Sequence, residues 1–134
     1  MAGITREFLD SILKVSFFRT VLDGEVTQFG DGKCELAVQI KPEHRQFLKA
    51  VHGGIVGALA DDSCAWACAS AAGKLVTASY TINFLAAATG DRLIARGQLI
   101  KSGRHIAVGK SEVFSVTGHD MKLVAAFQGT MSIV

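Results

Sequence analysis

The chain opens on helical spacing. Ile4, Phe8, Leu9, Ile12 and Val15 recur at intervals of mostly three and four, with Arg6, Glu7, Asp10 and Lys14 between them, which predicts an amphipathic helix over residues 4–18. Over residues 19–41 the period falls to two. Cys34, Leu36, Val38 and Ile40 lie on one side of the second arm and Lys33, Glu35, Gln39 and Lys41 on the other, so the segment reads as a hairpin turning at Gly30-Asp31-Gly32. Pro42 breaks it, and residues 42–52 read as a connection with room for one short helical turn. From Gly53 the helical period returns and runs to Gly73, but this helix is small or apolar almost all round. Surface helices are not built that way, so something must wrap it. Four strand-like runs follow, at 75–88, 91–101, 104–117 and 121–134, separated by Thr89-Gly90-Asp91, Ser102-Gly103 and Thr117-Gly118-His119-Asp120.

The order is helix, two strands, an apolar helix, four strands. That predicts an α+β fold in which a curved antiparallel sheet of about six strands wraps one central helix, the N-terminal helix lying outside, and a single domain over residues 1–134. Composition narrows the partners. Hydrophobic residues make up 49% of the 134, charged residues 19%, and the formal net charge is +2, so global charge supports neither a nucleic-acid nor a membrane-surface partner. Lys101, Arg104 and His105 form one small basic cluster, which suits a compact polyanion better than a duplex. Three cysteines, Cys34, Cys64 and Cys68, and a start unlike a signal peptide imply a reducing cytoplasm. Cys64 and Cys68 share a helix face, but no second ligand pair stands at zinc spacing, so no metal site is expected.

The candidate chemistry sits in the apolar helix, where His52-Gly53-Gly54 is followed by Leu59-Ala60-Asp61. Asp61 has Gly57, Ala58, Cys64 and Ala65 as its neighbours three and four positions away, all small, which leaves room beside the carboxylate. A carboxylate in such surroundings titrates high. It is either satisfied by a neighbouring hydroxyl or amide, or a general base or nucleophile. Asp62 points about 100° away, toward Leu59 and Trp66, and reads as structural or exposed. Gly53 and Gly54 stand at the helix start, where N–H groups lack intrahelical acceptors and missing side chains admit a ligand. An oxygen gaining negative charge would be stabilised there. His52 is placed to cap the helix, orient the loop or touch a ligand.

The motif and the order of elements resemble the hotdog-fold thioesterase superfamily, above all its phenylacetic acid degradation subfamily, whose buried helix opens with HGG and carries an Asp in a LAD run. The resemblance covers nearly the whole chain, including the Ile82-Asn83-Phe84-Leu85 run and the Gly103-Arg104 loop. It implies hydrolysis of an acyl-CoA thioester, with Asp61 as catalytic carboxylate and the Gly53 amide polarising the thioester carbonyl. Gln46, six positions before His52, matches a polar residue that is commonly Asn, and implies a role in orienting water or thioester. Thr77, with Ser79 as its rival, matches a hydroxyl held near the catalytic Asp. Where relatives continue the FL run with a basic residue and Pro, this chain has Ala86-Ala87, which leaves Lys101, Arg104 and His105, together with Gly54, as the CoA-binding candidates. CoA is part of the substrate, and no separate cofactor is implied.

Gly53 and Asp61 are eight positions apart, about 12 Å along one helix. One carbonyl cannot bond both. If both serve one site they belong to two copies, and a twofold homodimer with antiparallel helices satisfies that, with a dimer of dimers as the larger assembly. Two other functions fit the fold. A hydratase or dehydratase of acyl thioesters would pair its acidic residue with a nearby His, and none lies in 61–73. A non-catalytic acyl-CoA-binding protein would not need Asp61.

Overall fold

The computed structural model describes residues 2–134. Its elements are α1 (Arg6–Leu13), α2 (Phe17–Thr20), β1 (Glu25–Gly30), β2 (Lys33–Gln39), α3 (Gly53–Ala72), β3 (Leu75–Phe84), β4 (Arg92–Ser102), β5 (Ile106–Thr117) and β6 (Asp120–Ile133), with one 3-10 turn at Pro42–His44. The six strands form one antiparallel sheet in the order β1-β2-β4-β5-β6-β3. α3 touches every strand of it. This is the hotdog arrangement that the element order predicts.

Close packing of α3 on the sheet depends on two strand glycines. A Cβ at Gly97 in β4 would fall 2.0 Å from the Ser63 carbonyl oxygen, and one at Gly109 in β5 would fall 2.6 Å from the Cys68 sulfur. The helix therefore rests almost backbone to backbone on the middle of the sheet, and Leu59, Ala60, Cys64, Ala67 and Cys68 are completely buried there. Excluding Leu59 from water contributes about 2 kcal/mol, so a sheet glycine replaced by a larger residue would cost the packing of the whole stripe. The opposite side of α3, from Gly57 and Ala58 through Asp61 to Ala65, is only half-buried.

Turn chemistry sets the register. Asp31 and Gly32 both have positive φ, 53° and 75°, and close the β1–β2 hairpin as a two-residue loop of the kind that matches strand twist. The Gly32 N–H donates to Ser70 Oγ at 2.8 Å, which ties this hairpin to α3. Gly73, at φ 97°, ends α3 and releases the chain into β3.

Three boundaries differ from the pattern. The N-terminal helix ends at Leu13 rather than at residue 18, because Ser16 takes an extended conformation and caps a second short helix through its side-chain oxygen. Val15 is therefore off the apolar face and 85% exposed. Phe17–Thr20 is helical, so the first hairpin arm begins at Glu25 instead of 19. β3 stops at Phe84 rather than 88, since the chain must leave the sheet edge there to reach β4 near its middle, and Ala88 O accepts from Val51 N–H on the way.

Candidate active site

Asp61 lies near the middle of α3, on its open side, where the small residues before it form a floor. The Thr77 hydroxyl donates to its carboxylate at 2.7 Å, across from the start of β3. A bulge between Thr77 and Ser79 sets which hydroxyl arrives. Thr77 faces the helix, whereas Ser79 is exposed beyond the bulge. Burial raises the Asp61 carboxyl above the usual aspartate range, and the Thr77 hydrogen bond pulls the other way by favouring the charged form. A groove of about 580 Å³ opens along this side, with Gly53, Gly57, Ala58 and Asp61 as floor and Tyr80, Ile82 and Phe84 as wall. The wall residues alternate in β3, which is a period-two signal that the sequence reading left unused.

At the far end of the groove, His52 occupies the N-cap of α3 and its Nδ1 accepts from the Gly54 N–H at 2.8 Å. This bond places the ring proton on the exposed Nε2 and occupies the Gly54 amide within the chain. The next donor is different. Among the described residues, no acceptor engages the Gly53 N–H, which stands at the positive end of a 20-residue helix. Gln46 shares a smaller cleft of about 210 Å³ with Gly53 and Phe84. Its side-chain oxygen accepts from the Leu48 N–H, which fixes the amide so that its NH2 group is the free face.

Asp61, held by Thr77, and Gly53 thus border one groove, with His52 and Gln46 at its Gly53 end. Lys101, Arg104 and His105 do not border it. Lys101 is exposed at the end of β4 and Arg104 and His105 in the β4–β5 turn, and among the described residues none of them enters an ion pair. Ala107 pairs with Met131, which pairs with Thr77, so the turn projects beyond the Asp61 end of the groove. Arg104 is three residues past that row, about 10 Å along the strands and about 10 Å across them.

The remaining chemical groups are committed elsewhere. Asp62 is half-buried rather than exposed, and burial, then the charge of Asp61, push its carboxyl up to about 7. The sequence reading missed His44, which is 5% exposed and accepts from the Lys41 N–H at 3.0 Å through Nδ1. All three cysteines are buried and free, and burial pushes the Cys34 thiol up to about 12. A thiol held protonated in this way, as that of Cys34 is, makes a poor nucleophile. A polar depression of about 450 Å³ elsewhere on the sheet holds Glu35 and Arg96 in a 2.8 Å ion pair. Among the described residues, no group of three or more His, Cys, Asp or Glu is placed to hold a metal ion, and no helix is long and apolar enough to cross a membrane.

A shielded carboxylate held by a hydroxyl, together with an unengaged helix-start amide, is equipment for adding oxygen to a polarised carbonyl. Known proteins resemble this chain. Residues 48–122, which include both groups, match the thioesterase superfamily. A curated protein of Archaeoglobus fulgidus, provisionally described as an esterase, is 30% identical over 113 residues, spanning 83% of this chain and 71% of that protein. The structure of a variant of the phenylacetic acid degradation protein PaaI from Thermus thermophilus is 28% identical, covers 89% of this chain and 100% of its own, and superposes with a TM-score of 0.78. A thioesterase family protein from Silicibacter pomeroyi shares the fold at a TM-score of 0.83, with 23% identity over 93% of this chain and 98% of its own. Matched over more than half its length, including the HGG turn and Asp61, the chain belongs to the thioesterase superfamily.

Proposed function

We propose that this thioester hydrolase acts on acyl-CoA, using Asp61 of one copy and the Gly53 amide of a second copy in the same site. The observation that carries the reading is the placement of a shielded, hydroxyl-held carboxylate and an acceptor-less amide on one groove, about 12 Å apart along one rigid helix. A second α3 running antiparallel brings each Gly53 to the other copy's Asp61. Support comes from the outer edge of the sheet. β3 pairs only with β6, and Val76, Tyr80 and Phe84 on it are each more than half exposed. An unpaired strand edge with that much apolar surface is what a twofold partner would cover.

In such a site the thioester oxygen accepts from the Gly53 N–H, and the carbonyl carbon becomes electrophilic. Ionised Asp61 either takes a proton from a water that adds to the carbon, or adds directly to give an anhydride that water then opens. Both routes break the carbon–sulfur bond and yield a free acid and the CoA thiol. Water is the only co-reactant, and no cofactor is required. Both routes also need the charged form of Asp61, and the Thr77 hydrogen bond favours that form. Thr77→Val removes the bond, so the Asp61 pKa rises further, a smaller fraction is ionised at a given pH, and the acidic limb of kcat/KM moves to higher pH. Activity recovers on the alkaline side of that limb. A pH–rate profile checks this, and an unmoved limb would mean that Thr77 does not tune Asp61.

Lys101, Arg104 and His105 are proposed to meet the CoA phosphates, at a distance from Asp61 that a pantetheine arm spans, with Arg104 making the most directional contacts. The substrate class is tested by following free-thiol release from acyl-CoA and from the matching acyl thioester of a short thiol. Arg104→Ala should raise KM about tenfold for the first and leave the second near its original value. Equal effects on both would place the nucleotide elsewhere.

A further inference from the structure

The loop that leads into α3 carries two neighbouring apolar side chains with little cover from their own chain. Phe47 is 90% exposed and Leu48 70%. Farther along the helix, an apolar cleft of about 260 Å³ lies between α3 and α1, lined by Ile4, Phe8 and Ile12 on one side and Ala65, Trp66 and Leu75 on the other. We infer that these two features fit each other across the twofold axis, Phe47 and Leu48 of one copy docking in the α1–α3 cleft of a second copy. The inference rests on the two-chain site proposed above and supplies the contact that anchors it.

Helix geometry sets the position. With the two α3 helices antiparallel and Gly53 opposite Asp61, Gly57 lies midway, on the twofold axis. Ala65, four residues past Asp61, then lies about 6 Å beyond the second copy's Gly53, on the side from which its loop enters the helix. Ala65 lines the cleft and shares the open side of α3 with Ala58 and Asp61. The loop borders the Gly53 end of the groove through Gln46. It cannot serve its own cleft, because Gly53 and Ala65 stand about 18 Å apart along one helix and the loop precedes Gly53.

Both surfaces are built before they meet. The Gln46 N–H donates to the Ala50 carbonyl at 2.8 Å, the Lys49 N–H to the Gln46 carbonyl at 2.9 Å, and the Arg45 guanidinium to the Lys49 carbonyl at 2.9 Å. Lys49 holds φ 69°, a conformation that residues with side chains rarely adopt. A loop fixed in this way has little freedom left to lose on docking. The cleft wall is fixed as well, since the Ile4 N–H donates to the Ala69 carbonyl at 2.9 Å. Its one charged lining residue, Lys74, is exposed at the rim, with its ammonium 5.0 Å from the centre of the Phe8 ring. An apolar cavity of about 150 Å³ accepts a benzene ring, so about 260 Å³ takes the Phe47 ring with part of Leu48. An aromatic side chain seated in an apolar pocket is a common anchor of a protein interface. Because the loop continues through His52 into Gly53, its docking also holds the Gly53 amide against the second copy's Asp61.

Crosslinking and sedimentation together test the docking. The three native cysteines are buried, so a short bis-maleimide reaches only introduced ones. Lys49→Cys stands beside the anchor and Lys74→Cys at the cleft rim, and both leave the apolar surfaces intact. Mixed and allowed to exchange subunits, these two proteins should give a linked dimer that neither gives alone. Phe47→Asp alters a side chain with almost no cover in its own chain, so it should fold normally by circular dichroism and raise the dimer dissociation constant at least tenfold. Gly57→Cys reports the antiparallel helices independently, since a Cβ there has open space and faces its own copy across the axis. The docking would be overturned, and the two-chain site left standing, by a protein that links through Gly57→Cys but not between Lys49→Cys and Lys74→Cys. An unchanged dissociation constant for Phe47→Asp would do the same, and would leave the cleft to another occupant. Monomers in sedimentation, with no link through Gly57→Cys, would overturn both.

Discussion

Asp61→Asn is expected to fold like the parent and to lose at least two orders of magnitude in kcat, measured as thiol release from whichever acyl-CoA is turned over fastest. The substitution keeps the size of the side chain, and the amide can still accept from the Thr77 hydroxyl, so the groove and the bulge at residues 77–79 have no reason to move. What disappears is a group able to take a proton or attack a carbonyl, and a positioned base is worth about 10²–10⁴ in rate. Removing the charge also removes the strain of holding it away from water, so the variant should melt no lower than the parent, and higher at neutral pH. The sign follows from the direction of the shift. A carboxyl raised above its unfolded value favours folding while protonated, and that advantage fades as pH rises through the folded pKa. Turnover close to that of the parent would remove Asp61 from the chemistry.

The fold was legible because its strongest signals are local and repeated. Period-two alternation in residues 33–41, the Asp31-Gly32 turn, and a helix with no polar face forced a sheet around a central element. Boundaries were less legible where a single side chain decides them. Ser16 looks unremarkable within an apolar helical pattern, yet its cap divides the first helix and sends Val15 into solvent. The glycines at 97 and 109 were equally silent, since a strand glycine reveals its purpose only when the helix lying across it is known.

The candidate site divides in the same way. Asp61, Gly53 and His52 lie on one helix, so spacing alone related them. The Thr77 partnership needed the resemblance to distinguish it from Ser79, because a bulge is invisible in a pattern of alternating residues. Gln46 reaches the Gly53 end through a loop whose turn at Lys49 has φ 69°, which no periodicity announces. For Asp62 the sequence left structural and exposed readings open, because its surroundings come from elements far away in sequence, including Cys34 on β2.

The central claim is that one working site needs two chains, and mixing two inactive proteins tests it most directly. One carries Asp61→Asn, and the other carries Gly53→Pro, which removes the amide proton. The structure favours the second as a folded protein. Gly53 is the first helical residue, where Pro is well tolerated, and its N–H has no acceptor within the chain to lose. His52 already has φ −56° and ψ 133°, the conformation that a following Pro prefers, and a Cβ at residue 53 would meet Phe84 at an ordinary 3.4 Å. Each protein alone should be nearly inert. After subunit exchange at equal concentrations, about half of the dimers are mixed, and each mixed dimer has one site with both lesions and one with an intact carboxylate and an intact amide. The account predicts recovery to about a quarter of the wild-type rate per chain. Folded, exchanging partners that recover no activity would contradict it.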